Sequence, residues 1–185
     1  KKIVLVLVTL MFSGITSAQT EVGGVNLPNT ESFQGQSLTL NGAGVREKLW
    51  IDLYAGGLYL SDKSSDASAI MSADKPMSIK LHIVSKLITS DKMIEAVNDG
   101  FENSTGGNTK PLASEIKKFK DFFMEEIVKN DVFDIVYLPG KGVIVYKNDK
   151  ELGVIEGMNF KKALFGIWLS NKPADDDLKE AMLGK

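Results

Sequence analysis

Arg46, Trp50 and Tyr54 are the residues of this chain whose types and spacing best suit ligand binding. In the stretch NGAGVREKLWIDLYAGGLYL (41–60), residues 46–60 alternate like a β-strand. The alternation predicts a core face with Leu49, Ile51 and Leu53, and a second face with Arg46, Lys48, Trp50, Asp52 and Tyr54. Beneath covering helices, the second face would form a ligand cleft with one anchoring charge, that of Arg46. A guanidinium fork matches a carboxylate, a tyrosine hydroxyl can add a third hydrogen bond, and Trp50 could contact a hydrocarbon tail.

Two other interpretations of this stretch need no such ligand. Arg46 could be an ordinary surface arginine that caps a turn, and the residues alone leave that alternative open. The spacing GxGxx from Gly42 suggests a dinucleotide-binding loop, but position 47 is Glu where that motif has its third glycine. The residues after Glu47 also alternate like a strand, whereas a phosphate-binding turn opens a helix. A dinucleotide site is therefore not expected.

The first 18 residues have the order of a secretory signal peptide. Two lysines precede an apolar run from Ile3 to Phe12, and small residues follow up to Ala18. The run is shorter than the ~20 residues of a membrane-spanning helix. We expect cleavage between Ala18 and Gln19, a periplasmic or secreted protein, and no stable membrane span afterwards. An uncleaved anchor is the alternative, and the lack of cysteine excludes a lipoprotein anchor.

The composition of residues 19–185 indicates one domain and excludes several functions. Removal of 18 residues leaves 167, with 20 basic and 24 acidic side chains, because two of the 22 basic residues lie in the removed segment. Such a length suits a single domain, and the acidic balance argues against nucleic acid. Without cysteine, and with His82 as the one histidine, no metal site, cofactor or serine–histidine triad is predicted. His82 is expected on the polar face of a strand.

The apolar patterns predict blocks of strands and blocks of helices. Strands are predicted at 22–27, 36–42, 46–60, 77–84, 132–138, 142–147 and 150–155, with turns at Pro139–Lys141 and Asn148–Asp149. Helices are predicted at 66–71, Ser90–Phe101, Pro111–Ile127, Phe160–Leu169 and Pro173–Gly184, with N-caps at Asp66, Ser90 and Asn159. This order lacks βαβ alternation. It predicts an α+β fold in which helices pack on one face of an antiparallel β-sheet.

Four segments give the chain a family resemblance. GAGVR and GLYL near residue 50, SDKMIEAV from Ser90, and the closing LFGIWLSNKPADDDLKEAMLG together resemble the chalcone isomerase fold family, in particular its bacterial chalcone isomerase-like branch. The resemblance covers nearly all of residues 19–185 and implies an open-faced sandwich. Enzymes of the family cyclise a chalcone to a flavanone. Their arginine matches Arg46, while their threonine, tyrosine and asparagine positions match Tyr54, Thr89 and Ala96.

These substitutions argue against the isomerase reaction and favour binding. Ala96 cannot form a side-chain hydrogen bond, and the loss of one preorganised donor can cost about 10²–10³ in rate. The plant fatty-acid-binding branch of the family pairs its arginine with a tyrosine. The resemblance thus implies a non-catalytic binding protein for a fatty acid or similar apolar carboxylate, with a site formed by Arg46, Tyr54, Trp50 and Thr89. The alternatives are an enzyme with chalcone-isomerase-like activity and an envelope interaction protein without a specific ligand.

Overall fold

The computed structural model describes residues 19–185. The predicted signal peptide, residues 1–18, lies outside the described residues and stays a prediction. The strands are β1 Gln19–Val22, β2 Val25–Pro28, β3 Thr30–Phe33, β4 Gln36–Lys48, β5 Ile51–Leu60, β6 Met77–Ile83, β7 Val132–Leu138, β8 Gly142–Lys147 and β9 Lys150–Ile155. The helices are α1 Ala67–Ser72, α2 Ser90–Thr105, α3 Ala113–Asp121, α4 Met158–Leu169 and α5 Asp176–Met182.

Seven strands form one antiparallel sheet in the order of the sequence, from β3 to β9. Strands β1 and β2 form a separate antiparallel hairpin. All five helices pack on the same face of the large sheet and bury its apolar side chains. The predicted α+β fold, an antiparallel sheet with helices on one face, is therefore confirmed.

Small residues let helices α2 and α4 approach closely within this layer. A Cβ atom added to Gly100 of α2 would lie 2.8 Å from the side chain of Ile167 in α4. One added to Gly166 of α4 would lie 2.9 Å from Ser104 of α2, whose hydroxyl donates to the carbonyl of Ala163. Larger side chains would push the helices apart. The close contact holds α4 beneath α2 and against strand β5, where the candidate site lies.

The other face of the sheet curls and buries a charged cluster. Lys80 of β6 pairs with Glu31 of β3 at 2.8 Å and with Asp134 of β7 at 2.7 Å. The ring of Phe33 in β3 stacks on Tyr146 of β8 with centroids 5.9 Å apart, so the first strand of the sheet folds over towards the last ones. Two carboxylates thus share one ammonium in a nearly dry environment.

The charged cluster predicts a pH dependence of stability. Burial raises the pKa of Glu31 to about 7 against the opposing attraction of Lys80, and burial also raises the pKa of Asp134. Because the folded-state pKa of Glu31 exceeds its ordinary value of 4.5, its contribution is complete below pH 4.5 and is lost as the pH rises to about 7. We expect Glu31→Gln to flatten the decline in unfolding free energy over this range, measured by denaturant titration. Glu125→Gln, at an exposed position, should keep the decline, and equal slopes for Glu31→Gln and wild type would contradict the prediction.

The predicted single strand 46–60 is wrong, because the chain reverses at Leu49–Trp50. Strands β4 and β5 meet there in a two-residue hairpin in which Lys48 is paired with Ile51. Leu49 and Trp50 have φ of 53° and 62° and are 76% and 89% exposed, so Leu49 does not face the core. Gly42, Ala43 and Gly44 lie inside β4, so Arg46 follows no turn. Two bulky apolar residues gave no turn signal, since such turns usually carry Asn, Asp or Gly.

Several element ends and one helix cap also differ from prediction. Thr89, not Ser90, caps α2, while the Ser90 hydroxyl donates to the carbonyl of Phe123. Six further differences concern the extent of elements: segment 22–27 is split between β1 and β2, β3 was not predicted, Pro111 lies in a 3₁₀ turn (Lys110–Leu112), α3 ends at Asp121, α4 begins at Met158 after Gly157, and α5 begins at Asp176 after the cap Asp175. The Asp66 cap and the hairpin turn at Asn148–Asp149 are confirmed.

Candidate functional site

A cavity of about 470 Å³ lies between the β4–β5 hairpin and helix α2. Its floor is formed by both strands, and α2 forms the opposite wall. The connection before α2 and Pro173–Ala174, which follow α4, close its sides. Leu53, Ile88 and Met93 supply apolar wall surface. The volume lies within the range of about 300–1,000 Å³ that is usual for small-molecule sites.

Arg46 lines this cavity and is directly paired across the strands with Tyr54. Its Nε atom is buried without a hydrogen-bond partner, and among residues 19–185 its guanidinium forms no ion pair within 4 Å. Arg46 is the one arginine of the sequence, beside 21 lysines. The one planar guanidinium of the chain therefore lines the cavity, while the other basic side chains carry a simple ammonium charge.

The Tyr54 hydroxyl lies beside two donors, Trp168 and Arg46. Tyr54 is 5% exposed, and its oxygen accepts a 2.9 Å hydrogen bond from Trp168 Nε1 of α4. Burial raises the pKa of Tyr54, so the phenol keeps its proton. An indole N–H and a guanidinium can only donate, so neither can accept that proton. In the described part of the chain the hydroxyl donates to no side chain or carbonyl, and because Tyr54 lines the cavity we expect its proton to serve an acceptor there.

Arg46 and Tyr54 are the two polar residues of the cavity lining that are not exposed, and both offer hydrogen-bond donors to an acceptor ligand. A guanidinium and a phenolic O–H can donate to the same carboxylate, and the surrounding wall can take up an apolar chain. Glu95 and Asp99 also line the cavity, on the exposed side of α2, but neither pairs with Arg46. The arrangement suits an oxyanion attached to an apolar body.

Of the four residues predicted for the site, the structure brings Arg46 and Tyr54 together. Trp50 lies at the hairpin tip and does not line the cavity, because the reversal at 49–50 turns it outward. Thr89 also lies outside the cavity, and its hydroxyl accepts a 3.4 Å hydrogen bond from the Lys92 amide as the cap of α2. Ala96, at the family's asparagine position, does line the cavity and offers no polar group.

Trp168 contacts the site, although no sequence pattern indicated it. It is separated from Tyr54 by 114 positions, and its contact depends on how α4 packs beneath α2. A tryptophan in an almost wholly apolar helix indicates a buried ring that needs a partner for its N–H. The pattern cannot say which partner. Trp168 therefore fixes the direction of the Tyr54 hydroxyl without lining the cavity itself.

Other classes of site have little support in residues 19–185. No group of three His, Asp or Glu side chains in this range converges as a metal site requires. Within the same range, no helix is both long and apolar enough to cross a membrane.

Comparisons with known proteins agree with this architecture. A family model described as chalcone isomerase-like matches residues 19–184. No curated protein matches the sequence. Among solved structures, a fatty-acid binding protein of Arabidopsis thaliana is similar with a TM-score of 0.68 and 21% identity. The matched region covers 86% of this chain and 92% of the plant chain, and at this identity it shows the shared fold alone.

Proposed function

This chain belongs to the chalcone isomerase-like family, and we propose that it is a non-catalytic binding protein for a fatty acid or similar apolar carboxylate. We place it in the family's bacterial branch and in the periplasm or outside the cell, on the strength of the sequence patterns. The observation that carries the proposal is that the two polar lining residues that are not exposed, Arg46 and Tyr54, both present donors. Arg46 and Tyr54 face a ligand that must supply the acceptors.

The two parts of the site would contribute differently to binding. Arg46 would bind the carboxylate through its planar fork, and the Tyr54 O–H would donate to one of the same oxygens. The apolar walls would bury the tail, where about ten methylenes at ~0.8 kcal/mol each would give most of the affinity. The headgroup contacts would set the orientation. The resemblance of the fold to a plant fatty-acid binding protein supports this choice of ligand.

A series of ligands with one tail and different headgroups tests the proposal. Dodecanoate, dodecanol and dodecylamine should compete for the cavity in that order of affinity. The carboxylate accepts from both donors, the alcohol accepts less strongly, and the ammonium offers only further donors beside a cation. Competition against a fluorescent fatty acid, below the micelle-forming concentrations, measures the order. Equal affinities, or tighter binding of the amine, would contradict binding of the headgroup by the Arg46 and Tyr54 donors.

An isomerase is the second candidate, because Arg46 faces the cavity as the family's catalytic arginine would. Ala96 supplies no hydrogen bond there, and Thr89 lies outside the cavity as a helix cap. We therefore expect a chalcone to lose its absorbance no faster with the protein than in buffer. An acceleration that disappears in Arg46→Ala would favour the enzyme instead.

A further inference from the structure

The Leu49–Trp50 turn is unlike the other tight hairpin turns of the described chain. Four two-residue turns have positive φ at both positions, and three of them carry Gly, Asn or Asp at one or both positions: Gly23–Gly24, Gln34–Gly35 and Asn148–Asp149. The fourth places Leu49 and Trp50 in the left-handed region. Bulky residues there are outliers. Both are also mostly exposed, so neither backbone preference nor core packing explains them. Sites that break local rules in this way are often functional.

The turn belongs to an apolar end of the molecule. Tyr54 pairs with Ile83 and His82 pairs with Val132, so the start of β5, the end of β6 and the start of β7 lie side by side. The connections 84–89 and 122–131 therefore join the hairpin tip at one end of the sheet. The exposed large apolar residues of the described chain all lie there: Leu49, Trp50, Ile51, Leu87, Met124 and Val128. We refer to these six as the apolar end.

The cavity opens through the apolar end. Leu49, Ile51 and Leu87 belong both to the exposed set and to the cavity lining. A ligand leaving past these side chains would emerge among apolar groups, not directly into water. The site and the exposed surface are thus continuous.

Lysines border the same opening. Lys48 and Lys92 line the cavity on the strand side and at the first turns of α2. Lys48 and Lys86 directly precede the exposed Leu49 and Leu87, whereas the acids that line the cavity, Glu95 and Asp99, lie on the exposed side of α2. Apolar side chains bordered by ammonium groups suit the surface of a lipid bilayer, where hydrocarbon chains lie beneath a layer of phosphate groups.

We propose that the apolar end docks on the surface of a lipid bilayer, with Trp50 and Leu49 at the boundary between headgroups and acyl chains. The inference rests on the proposed function, since the bilayer would be the source or the acceptor of the apolar carboxylate. Three observations favour a bilayer over a protein partner. Leu49 and Trp50 form the tip of a hairpin, the Trp50 indole is the most exposed of the six side chains, and the opening leads into the ligand cavity. Indole rings favour the membrane interface, where one side is apolar and the other wet.

Flotation with vesicles of phosphatidylcholine and phosphatidylglycerol tests the docking. Wild type should float with the vesicles, and brominated phosphatidylcholine should quench Trp50, which is exposed, while Trp168 is buried. Trp50→Gly should weaken vesicle binding about tenfold or more, because the main inserted ring is lost. Glycine suits the φ of 62°, so the variant should fold at least as well as wild type. Since Trp50 does not line the cavity, fatty-acid affinity in vesicle-free buffer should stay unchanged.

Two controls separate docking from ligand binding and from turn geometry. Asp149→Gly makes the same change at the second position of another turn with positive φ, and it should float like wild type. Arg46→Ala should float while losing fatty-acid affinity, so failure of the proposed function would not resemble failure of docking. Wild type that stays unbound, or Trp50→Gly that floats equally well, would overturn the proposal. A Trp50-dependent dimer without vesicle binding would also overturn it and identify a second copy of the chain as the occupant.

Discussion

Replacing Arg46 with alanine is expected to lower the affinity for a long-chain fatty acid by about 30-fold to 1,000-fold. This corresponds to about 2–4 kcal/mol, the usual effect of removing one member of a buried charge pair. In the ligand-free protein the guanidinium has no partner anion in the described chain and its Nε is buried without a hydrogen bond. Its removal should therefore leave the free energy of unfolding unchanged or raise it. Isothermal titration and denaturant unfolding measure the two quantities.

Two companion variants show whether geometry or charge is responsible. Arg46→Lys keeps the charge but loses the fork, so its affinity should fall between those of wild type and Arg46→Ala. Lys86→Ala removes a cation near the opening without touching the cavity lining, and its affinity should equal that of wild type. If Lys86→Ala lost as much affinity as Arg46→Ala, binding would depend on net charge and the assigned clamp would be wrong.

Replacing Lys161 with methionine should lower the free energy of unfolding by about 3 kcal/mol, or the melting temperature by roughly 6–12 °C. Lys161 is fully buried, and its ammonium donates to the carbonyls of Ile70, Met71 and Ala73 at 2.8–3.0 Å. These carbonyls lie at the C-terminal end of α1, where no following helical turn supplies N–H donors for them. Methionine keeps the length and apolar stem of lysine but leaves three buried acceptors without that donor.

The Lys161 experiment needs a defined pH and a matched variant. Burial lowers the pKa of Lys161 to about 8, so thermal or denaturant unfolding at pH 6.5 compares methionine with the ammonium form. Lys162→Met changes the next residue, which is exposed, and should alter stability by less than about 0.5 kcal/mol. Similar losses in both variants would show that the carbonyl contacts contribute little.

The general fold could be predicted because its strongest signals are local. Alternation in β6 to β9, short polar turns and amphipathic helices indicated an antiparallel sheet with helices on one face. The reversal at Leu49–Trp50 could not be predicted in this way, since the residues that form it favour strands. The cross-sheet pair between Glu31 and Lys80 also had no sequence signal, because it depends on the curl of the sheet.

The site was predicted in part, and partly for the wrong physical reason. Arg46 and Tyr54 were expected to share a face of one strand, whereas they are neighbours across two strands of a hairpin. Two residues an even number of positions apart share a face of one strand, and two residues paired across a tight turn also lie side by side. Either arrangement brings Arg46 and Tyr54 together. Trp50 was expected at the ligand because of strand parity, and the turn between the strands moves it to the tip. Trp168 reaches Tyr54 only through the packing of α4, which residue spacing cannot describe.

The central claim is that Arg46 and Tyr54 hold the carboxylate of an apolar ligand in the cavity. Mild purification from the producing cells, organic extraction and mass spectrometry test it most directly, with wild type and Arg46→Ala compared per mole of protein. Fatty acids should be recovered from wild type and depleted in Arg46→Ala, while Lys86→Ala should yield as much as wild type. Equal recovery from wild type and Arg46→Ala would contradict the clamp. An empty wild-type extract, together with added fatty acids that neither bind nor raise the melting temperature, would contradict the binding function itself.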